Sequence, residues 1–135
     1  MDHLGAVVDG EIGRTNYQVA LTSRGHTLLC DEDLDDGGGD AGMSPFGLLL
    51  SSLGACTVIT LRMYAERKGW TLDCAKIHLA LHIVGDTRWI ERRLHLVGTF
   101  DEAQRARMLA IAEKTPITRL VAAGCEIRTF IDQTN

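Results

Sequence analysis

The sequence predicts an α+β fold, a single domain over residues 1–135 with the element order βββ-α-ββ-α-α-β. Three observations lead to this prediction. Three short segments of β-branched and apolar residues open the chain, an uncharged stretch long enough for a helix occupies its middle, and two long alternating segments follow. Because strands and helices are grouped in the sequence, the sheets are expected to be antiparallel. The length and the 45% hydrophobic content suit one core, so no second domain is expected.

The first three strands are predicted at residues 6–8, 17–21 and 26–30, where apolar and β-branched residues recur. Turn-forming residues separate them, at Gly10, Gly13 and Arg24-Gly25. This pattern is typical of a three-stranded antiparallel meander.

An acidic, glycine-rich stretch covers residues 31–40 and has neither strand nor helix periodicity, so it is predicted to be a solvated loop. A calcium loop counted from Asp33 would place Ser44 where a bidentate glutamate is needed, which excludes an EF-hand. The carboxylates would repel a phosphate, and no P-loop lysine follows.

The segment from Pro45 to Gly69 is predicted to be a long central helix. Ser44 suits the N-cap, Pro45 the first turn, and Gly69 the left-handed stop. No charged residue lies between Asp40 and Arg62, so length alone would also permit a short membrane span. Serine, threonine and glycine dilute its hydrophobicity, so we predict a buried helix and no membrane. A helix that is apolar nearly all round must be covered on every side, and we therefore expect a partner subunit.

A β-hairpin is predicted next, because alternating residues place four apolar side chains on one face, Ile77, Leu79, Leu81 and Ile83. A turn at residues 85–87 leads into the returning strand, residues 89–97. Helical spacing resumes over residues 102–112, Pro116 begins a further short helix, and residues 124–131 are predicted to close the fold as a strand.

The charge balance argues against polyanionic partners. Lysine and arginine number 14 against 18 aspartate and glutamate, a formal net charge of −4. No general positive field would attract nucleic acid or anionic lipid, so neither is an expected partner. The first residues lack a positive segment followed by an apolar one, so we expect no secretory signal and a cytoplasmic location.

Three histidines, at positions 78, 82 and 95, lie in the predicted hairpin and are potential metal ligands. His78 and His82 share a face but lie about 13 Å apart, too far to bind one ion. His78 and His95 would face each other if the turn had two residues, which gives two ligands at most. We therefore expect solvated histidines, no metal site and no cofactor.

Cysteines stand at positions 30, 56, 74 and 125, without the paired CxxC half-sites of a zinc module. Cys56 differs from the others because it lies inside the apolar helix between small neighbours, Gly54-Ala55 and Thr57. It lies about 17 Å from the start of the helix, beyond the reach of the helix dipole. Burial opposes thiolate formation, so a reactive Cys56 requires a cation from elsewhere in the fold or from a second subunit.

Two blocks of sequence resemble the OsmC/Ohr family. The first begins with Ser44-Pro45-Phe46-Gly47, passes through Gly54-Ala55-Cys56-Thr57 and ends with Lys68-Gly69-Trp70. The second begins with Ile90-Glu91-Arg92, continues over residues 98–105 and 109–116, and ends with Glu126-Ile127-Arg128-Thr129. The likeness covers nearly the whole chain in the expected order.

The resemblance implies an intertwined homodimer whose two central helices cross between wrapped sheets. It also implies a thiol-dependent peroxidase of the oxidative stress response, in which a first cysteine attacks a hydroperoxide and a second cysteine forms a disulfide. Cys56 occupies the position of the first cysteine, whereas Thr115-Pro116 stands where the family typically has Cys-Pro. Cys125 has no counterpart in the family pattern and is expected to be structural, as are Cys30 and Cys74.

The resemblance further implies an activating arginine held by a pocket glutamate. Phe46 and Gly47 stand where that glutamate is commonly found, and Arg14 is the candidate for the arginine. The expected function is reduction of an organic hydroperoxide by Cys56, with the sulfenic acid resolved by an external thiol reductant. The alternative is a non-catalytic OsmC-like protein that binds a small apolar or acyl ligand in a pocket at the dimer interface.

Overall fold

The computed structural model describes residues 3–132 and has an α+β fold, as predicted. In chain order the elements are β1 Asp9–Ile12, β2 Val19–Ser23, β3 His26–Cys30, α1 Pro45–Lys68, β4 Leu72–Val84, β5 Thr87–Gly98, α2 Glu102–Ala112 and α3 Pro116–Ala123. Contacts group the chain into two compact units, one up to Ser51 and one from Ser52 onward. The division falls within α1, and the prediction of a single domain stays a prediction.

The first unit contains an antiparallel sheet in the order β1-β2-β3. The third strand agrees with the prediction and the second, predicted at residues 17–21, begins two residues later, but the first is formed by Asp9–Ile12 and not by residues 6–8. Gly10, predicted to be a turn, pairs with Leu21 inside the sheet. A Cβ atom at Gly10 would lie 2.9 Å from Cδ2 of Leu21, so the glycine makes room for that side chain.

The acidic loop is anchored by a buried carboxylate, which corrects the prediction of a wholly solvated segment. Asp31 is 1% exposed and accepts backbone N–H bonds from Tyr17, Glu32, Gly39 and Ala41 at 2.8–3.2 Å. Burial raises the pKa of Asp31, but the four hydrogen bonds outweigh it and hold that pKa below its ordinary value. The loop is therefore folded around one ionised side chain.

Gly38 is required by the same loop. A Cβ atom there would lie 2.1 Å from the backbone oxygen of Glu32 and 2.8 Å from Oδ1 of Asp31. Gly37, by contrast, ends the 3₁₀ turn Leu34–Asp36 with a φ of +88°. The run of glycines is thus explained by close packing around Asp31 at Gly38 and Gly39 and by a left-handed backbone at Gly37.

Helix α1 has the predicted boundaries. Ser44 Oγ accepts a hydrogen bond from the backbone N–H of Gly47 at 3.1 Å, and Gly69 ends the helix with a φ of +70°. By length and composition the helix could cross a membrane, and 22% of its most apolar window is buried. One face of α1 is buried while Ile59 and Met63 on another face are exposed, so residues 3–132 of one chain do not cover the helix completely.

Strands β4 and β5 form the predicted hairpin, with Val84 opposite Thr87 across a two-residue turn. Ile77, Leu79 and Leu81 are half-buried, whereas Ile83 near the turn is exposed. The hairpin approaches α1 closely at Gly54, where a Cβ atom would lie 2.8 Å from Cδ1 of Leu79. A glycine at this position therefore sets the distance between helix and sheet.

The core of the second unit is formed where α1, β4 and α2 meet. It consists of five buried residues, Leu61, Tyr64, Ala65, Leu72 and Met108. Helix α2 begins with a capping box, in which Asp101 accepts from the Gln104 backbone and the Gln104 side chain accepts from the Asp101 backbone.

The predicted closing strand is not formed within residues 124–132. The element order of the described chain is therefore βββ-α-ββ-α-α, without the expected final strand. This segment is exposed throughout, including Ile127, Phe130 and Ile131 at 79–85% exposure. A strand needs the backbone of a neighbouring strand to pair with, and no strand of the described chain pairs with it.

Candidate functional site around Cys56 and Arg92

Cys56 lies on α1 as a free, partly exposed thiol. It belongs to a helical stripe with Ser52, Ile59 and Met63, since these positions are spaced by three or four residues. Ser52, Ile59 and Met63 are all exposed, the latter two at 50% and 62%. The neighbouring residue Thr57 is fully buried, so Cys56 lies at the border between the buried face of the helix and its exposed face.

The other three cysteines are also free, but they differ in environment. Cys30 at the end of β3 is buried, Cys74 in β4 is half-buried, and Cys125 after α3 is exposed. Cys30 is buried, as packing requires, and Cys125 is exposed beyond the last helix; the expectation that these cysteines are structural stays a prediction.

Thr115 is fully buried and caps helix α3. Its Oγ1 accepts a hydrogen bond from the backbone N–H of Thr118 at 3.3 Å and lies 2.6 Å from Thr118 Oγ1. Pro116 follows as the first residue of the helix, where its missing N–H has no cost. Thr115 therefore has a structural role that a hydroxyl performs well, and its correspondence to a second cysteine stays a prediction.

Arg92 on β5 connects three elements of the second unit. Its Nη1 donates to Thr57 Oγ1 at 3.0 Å and to Thr118 Oγ1 at 2.8 Å, and its Nη2 donates to Glu113 at 3.3 Å. The Arg92 side chain is 12% exposed, whereas Glu113 is 66% exposed. Thr57 also donates to the backbone oxygen of Leu53 at 2.7 Å, so each threonine has a second partner.

One guanidinium nitrogen thus joins the residue after Cys56 to the helix that Thr115 caps. From the sequence, Arg92 was identified only as part of a family motif, and this role was not predicted. A signal was present, because Arg92 lies between Ile90 and Leu94 on the apolar face of its strand, whereas Arg88 on the same face lies next to the hairpin turn. A charge on a core-facing position needs buried partners.

Arg14, the candidate for an activating arginine, and Phe46, at the position expected for a pocket glutamate, are both on the surface. Arg14 is exposed in the β1–β2 loop and forms no hydrogen bond or ion pair with residues 3–132. Phe46 is exposed, and the first turn of α1 contains no acidic residue. The role of Arg14 at Cys56 stays a prediction.

A cavity of about 670 Å³ lies beside Arg92 in the second unit. Most of its wall is apolar and comes from the hairpin and all three helices, with Leu53, Leu81, Trp89, Leu94, Leu109 and Val121 as examples. Arg88, Arg92 and Glu113 are its charged residues. Its size is in the range of small-molecule sites.

The hairpin histidines do not form a metal site. His95 lies opposite Lys76 and His78 opposite Arg93, so the expected pairing of His78 with His95 is wrong. His82 stacks on Trp89 at 4.2 Å and bonds to Glu91 at 2.8 Å. Across residues 3–132, no group of three potential ligands comes together.

Solved structures with the same fold include an OsmC-like protein from Mycoplasma pneumoniae, which is 15% identical, with a TM-score of 0.78 over 92% of this chain and 91% of that one. An organic hydroperoxide resistance protein OsmC from Legionella pneumophila is 18% identical, with a TM-score of 0.65 over 90% and 91%. A hydroperoxide resistance protein from Vibrio cholerae, with captopril bound in one active site, is 14% identical, with a TM-score of 0.64 over 92% and 88%.

No curated protein matches the chain in sequence. The family model of OsmC-like proteins matches residues 37–130, which include all of α1, the hairpin and both later helices. That span contains Cys56, Arg92 and Thr115. The chain belongs to the family of OsmC-like proteins.

Proposed function

We propose that the protein reduces organic hydroperoxides through Cys56, as a homodimer in the cytoplasm, with an external thiol as reductant. The observation that carries the proposal is a partly exposed free thiol on the central helix of an OsmC-like chain. Two of the structural neighbours are named as organic hydroperoxide resistance proteins, which supports the same class of chemistry.

In the first step the Cys56 thiolate attacks the terminal oxygen of the hydroperoxide. The O–O bond breaks, the alkoxide takes a proton and leaves as an alcohol, and Cys56 becomes a sulfenic acid. An external thiol then attacks this sulfur, releasing water and forming a mixed disulfide. A second external thiol restores the Cys56 thiol and leaves as the oxidised disulfide.

Thr115 explains why the reductant is external. Its hydroxyl cannot form a disulfide, and it is already used to cap α3. Cys56 is partly exposed and its neighbours along the helix are exposed, so small thiols from solution can reach its oxidised sulfur. The product of a single turnover without reductant is therefore the sulfenic acid.

Exposed apolar surface supports the homodimer. The exposed stripe of α1 carries Ile59 and Met63, and the segment after α3 exposes Ile127, Phe130 and Ile131. Exposed apolar side chains that form a patch are typical of an interaction surface. Sedimentation equilibrium should give twice the 14.8 kDa chain mass at micromolar concentration, and a stable monomer would refute the dimer.

The activity is tested by single cysteine-to-serine variants. With cumene hydroperoxide and a small thiol as substrates, Cys56→Ser should reduce consumption to the uncatalysed rate. Cys125→Ser makes the same atomic exchange at an exposed site and should retain activity, as should Cys30→Ser and Cys74→Ser. Equal rates in all four variants, or no activity in the wild type, would refute the proposal.

The cavity beside Arg92 favours a second candidate, a non-catalytic protein that binds a small apolar or acyl ligand. Trp89 lines this cavity, so in a Trp70→Phe variant it becomes the sole tryptophan and reports on binding. Decanoate should then quench the Trp89 fluorescence in a saturable manner, equally with and without Cys56→Ser. This result together with an inactive wild type would support ligand binding in place of the peroxidase function. Activity without any quenching would exclude it.

A further inference from the structure

A second cavity lies away from Arg92, between the C-terminal halves of α1 and α2. Its volume is about 520 Å³. Seven residues line it, namely Thr60, Tyr64, Arg67, Lys68, Arg107, Ile111 and Lys114. Four of these residues are cations and none is acidic. We call this site the basic pocket.

The positive charge of the basic pocket stands against the charge of the whole chain, which is −4. Within residues 3–132, none of its four cations forms an ion pair with an acidic side chain. The helix dipole accounts for part of the cluster, because Arg67 and Lys68 lie in the last turn of α1. A helix end carries only about half a negative charge, so most of the charge of four cations is left uncompensated.

Tyr64 forms the buried wall of the basic pocket. It is 7% exposed, and its hydroxyl oxygen accepts a hydrogen bond from Arg107 Nε at 2.9 Å. The charged ends of Arg67, Lys68 and Arg107 each lie 5.7 Å from the centre of its ring. The Tyr64 hydroxyl donates its own proton to no acceptor among the described residues, although it lines the cavity.

Electrostatics at Tyr64 agree with a site for negative charge. The hydrogen bond from Arg107 lowers the pKa of Tyr64 despite burial, and the charges of Arg107, Lys68 and Arg67 lower it further. The environment therefore favours a negative oxygen at the position of this hydroxyl. An anion in the cavity would meet the same field and would also relieve the mutual repulsion of the four cations.

We propose that the basic pocket binds a small molecule carrying two or more linked phosphate groups. Lysine and arginine bind phosphate oxygens through charge-assisted hydrogen bonds, and the free O–H of Tyr64 supplies a further donor at the base of the site. The volume admits a ligand of this size but no folded partner. Cys56 is not among the residues that line the basic pocket, although Thr60 lies one helical turn after it, and the proposal does not depend on the peroxidase function.

Calorimetric titration with inorganic tripolyphosphate tests the proposal. The pocket variant Arg67→Gln/Lys114→Gln should bind about tenfold or more weakly than the wild type. The control Arg105→Gln/Arg119→Gln removes two exposed cations outside the pocket, so it has the same net charge as the pocket variant. Its affinity for tripolyphosphate should differ from that of the wild type by less than about twofold. Equal losses in both variants, or no binding by the wild type at millimolar tripolyphosphate, would overturn the proposal.

Two further results separate a phosphate site from a general attraction to anions. Citrate should bind more weakly than tripolyphosphate, and the reverse order would overturn the assignment to phosphate. Cys56→Ser should leave tripolyphosphate affinity unchanged, so that loss of peroxidase activity and loss of this site are distinguishable.

Tyr64 gives a spectroscopic readout of the same site. In a Tyr17→Phe variant it is the only tyrosine, and its ionisation can be followed by absorbance near 295 nm. Bound anion disfavours tyrosinate, so tripolyphosphate should raise the pKa of Tyr64. Tyr64→Phe keeps the ring and removes the hydroxyl, and it should weaken binding about threefold to tenfold. An unshifted titration together with unchanged affinity in Tyr64→Phe would exclude the pocket as the binding site.

Discussion

Replacing Arg92 by methionine tests whether the guanidinium network holds the second unit together. Methionine keeps most of the apolar stem, so the change removes the charge and its hydrogen bonds. Two of those bonds go to the largely buried hydroxyls of Thr57 and Thr118, and hydrogen bonds to a charged group contribute about 1.5–3 kcal/mol each. The pair with Glu113 adds little, because that carboxylate is 66% exposed.

We expect Arg92→Met to lower the free energy of unfolding by about 2–4 kcal/mol. The expected loss is smaller than the sum of the two hydrogen bonds for two reasons. Thr57 and Thr118 keep their bonds to Leu53 O and Ala112 O, and the methionine adds apolar burial. Arg92→Lys should recover only part of the loss, since one ammonium replaces a planar fork with two donor nitrogens.

The assay is urea unfolding followed by tryptophan fluorescence and far-UV circular dichroism, with the m-value checked for constancy. Arg93→Met is the matched control, because that neighbouring side chain is 75% exposed and, among residues 3–132, bonds only to Glu91. It should leave the unfolding midpoint unchanged. A loss below about 1 kcal/mol for Arg92→Met, or equal losses in the two variants, would refute the reasoning.

Three further predictions concern other parts of the chain. Thr115→Cys should form a disulfide with Cys56 after one equivalent of hydroperoxide, seen by non-reducing peptide mass spectrometry, and should cost about 1 kcal/mol because the α3 cap is lost. If that variant never crosslinks, the alignment of Thr115 with a resolving cysteine is wrong. Asp31→Asn should lower the urea midpoint at neutral pH. Since the pKa of Asp31 is lowered on folding, its stabilising contribution is present above the unfolded pKa and is lost as pH falls through the folded pKa, so the difference should vanish in acid; a pH-independent difference would contradict this. Gly38→Ala should destabilise by about 2 kcal/mol or more, measured by the same unfolding, because its Cβ atom would meet the Glu32 backbone oxygen; an unchanged midpoint would show that the loop adjusts.

Local chemistry explains which elements the sequence predicted correctly. Ser44, Pro45 and Gly69 mark the ends of α1 because capping and the left-handed stop depend on residues next to each other in the chain. The hairpin turn and the start of α3 at Pro116 are local in the same sense. The position of β1 was predicted wrongly because Gly10 was taken as a turn, whereas its pairing with Leu21 depends on a strand further along the chain.

The prediction of a closing strand was wrong for a related reason. Residues 124–131 have the composition of a strand, but strand formation requires a neighbouring backbone, and none pairs with them in the described chain. Because the segment pairs with no strand of the described chain, its apolar side chains, such as Ile127 and Phe130, are exposed.

The sequence by itself determined the fold class, the family and the identity of Cys56 as the candidate thiol, because these depend on periodicity, capping residues and two extended motifs. Only the tertiary structure decided that Arg92 joins Thr57 to Thr118, that Asp31 anchors its loop and that four cations surround Tyr64. Each of these arrangements brings together side chains from separate elements, and hydrogen bonds and electrostatic fields depend on distances in space, which spacing along the chain does not specify.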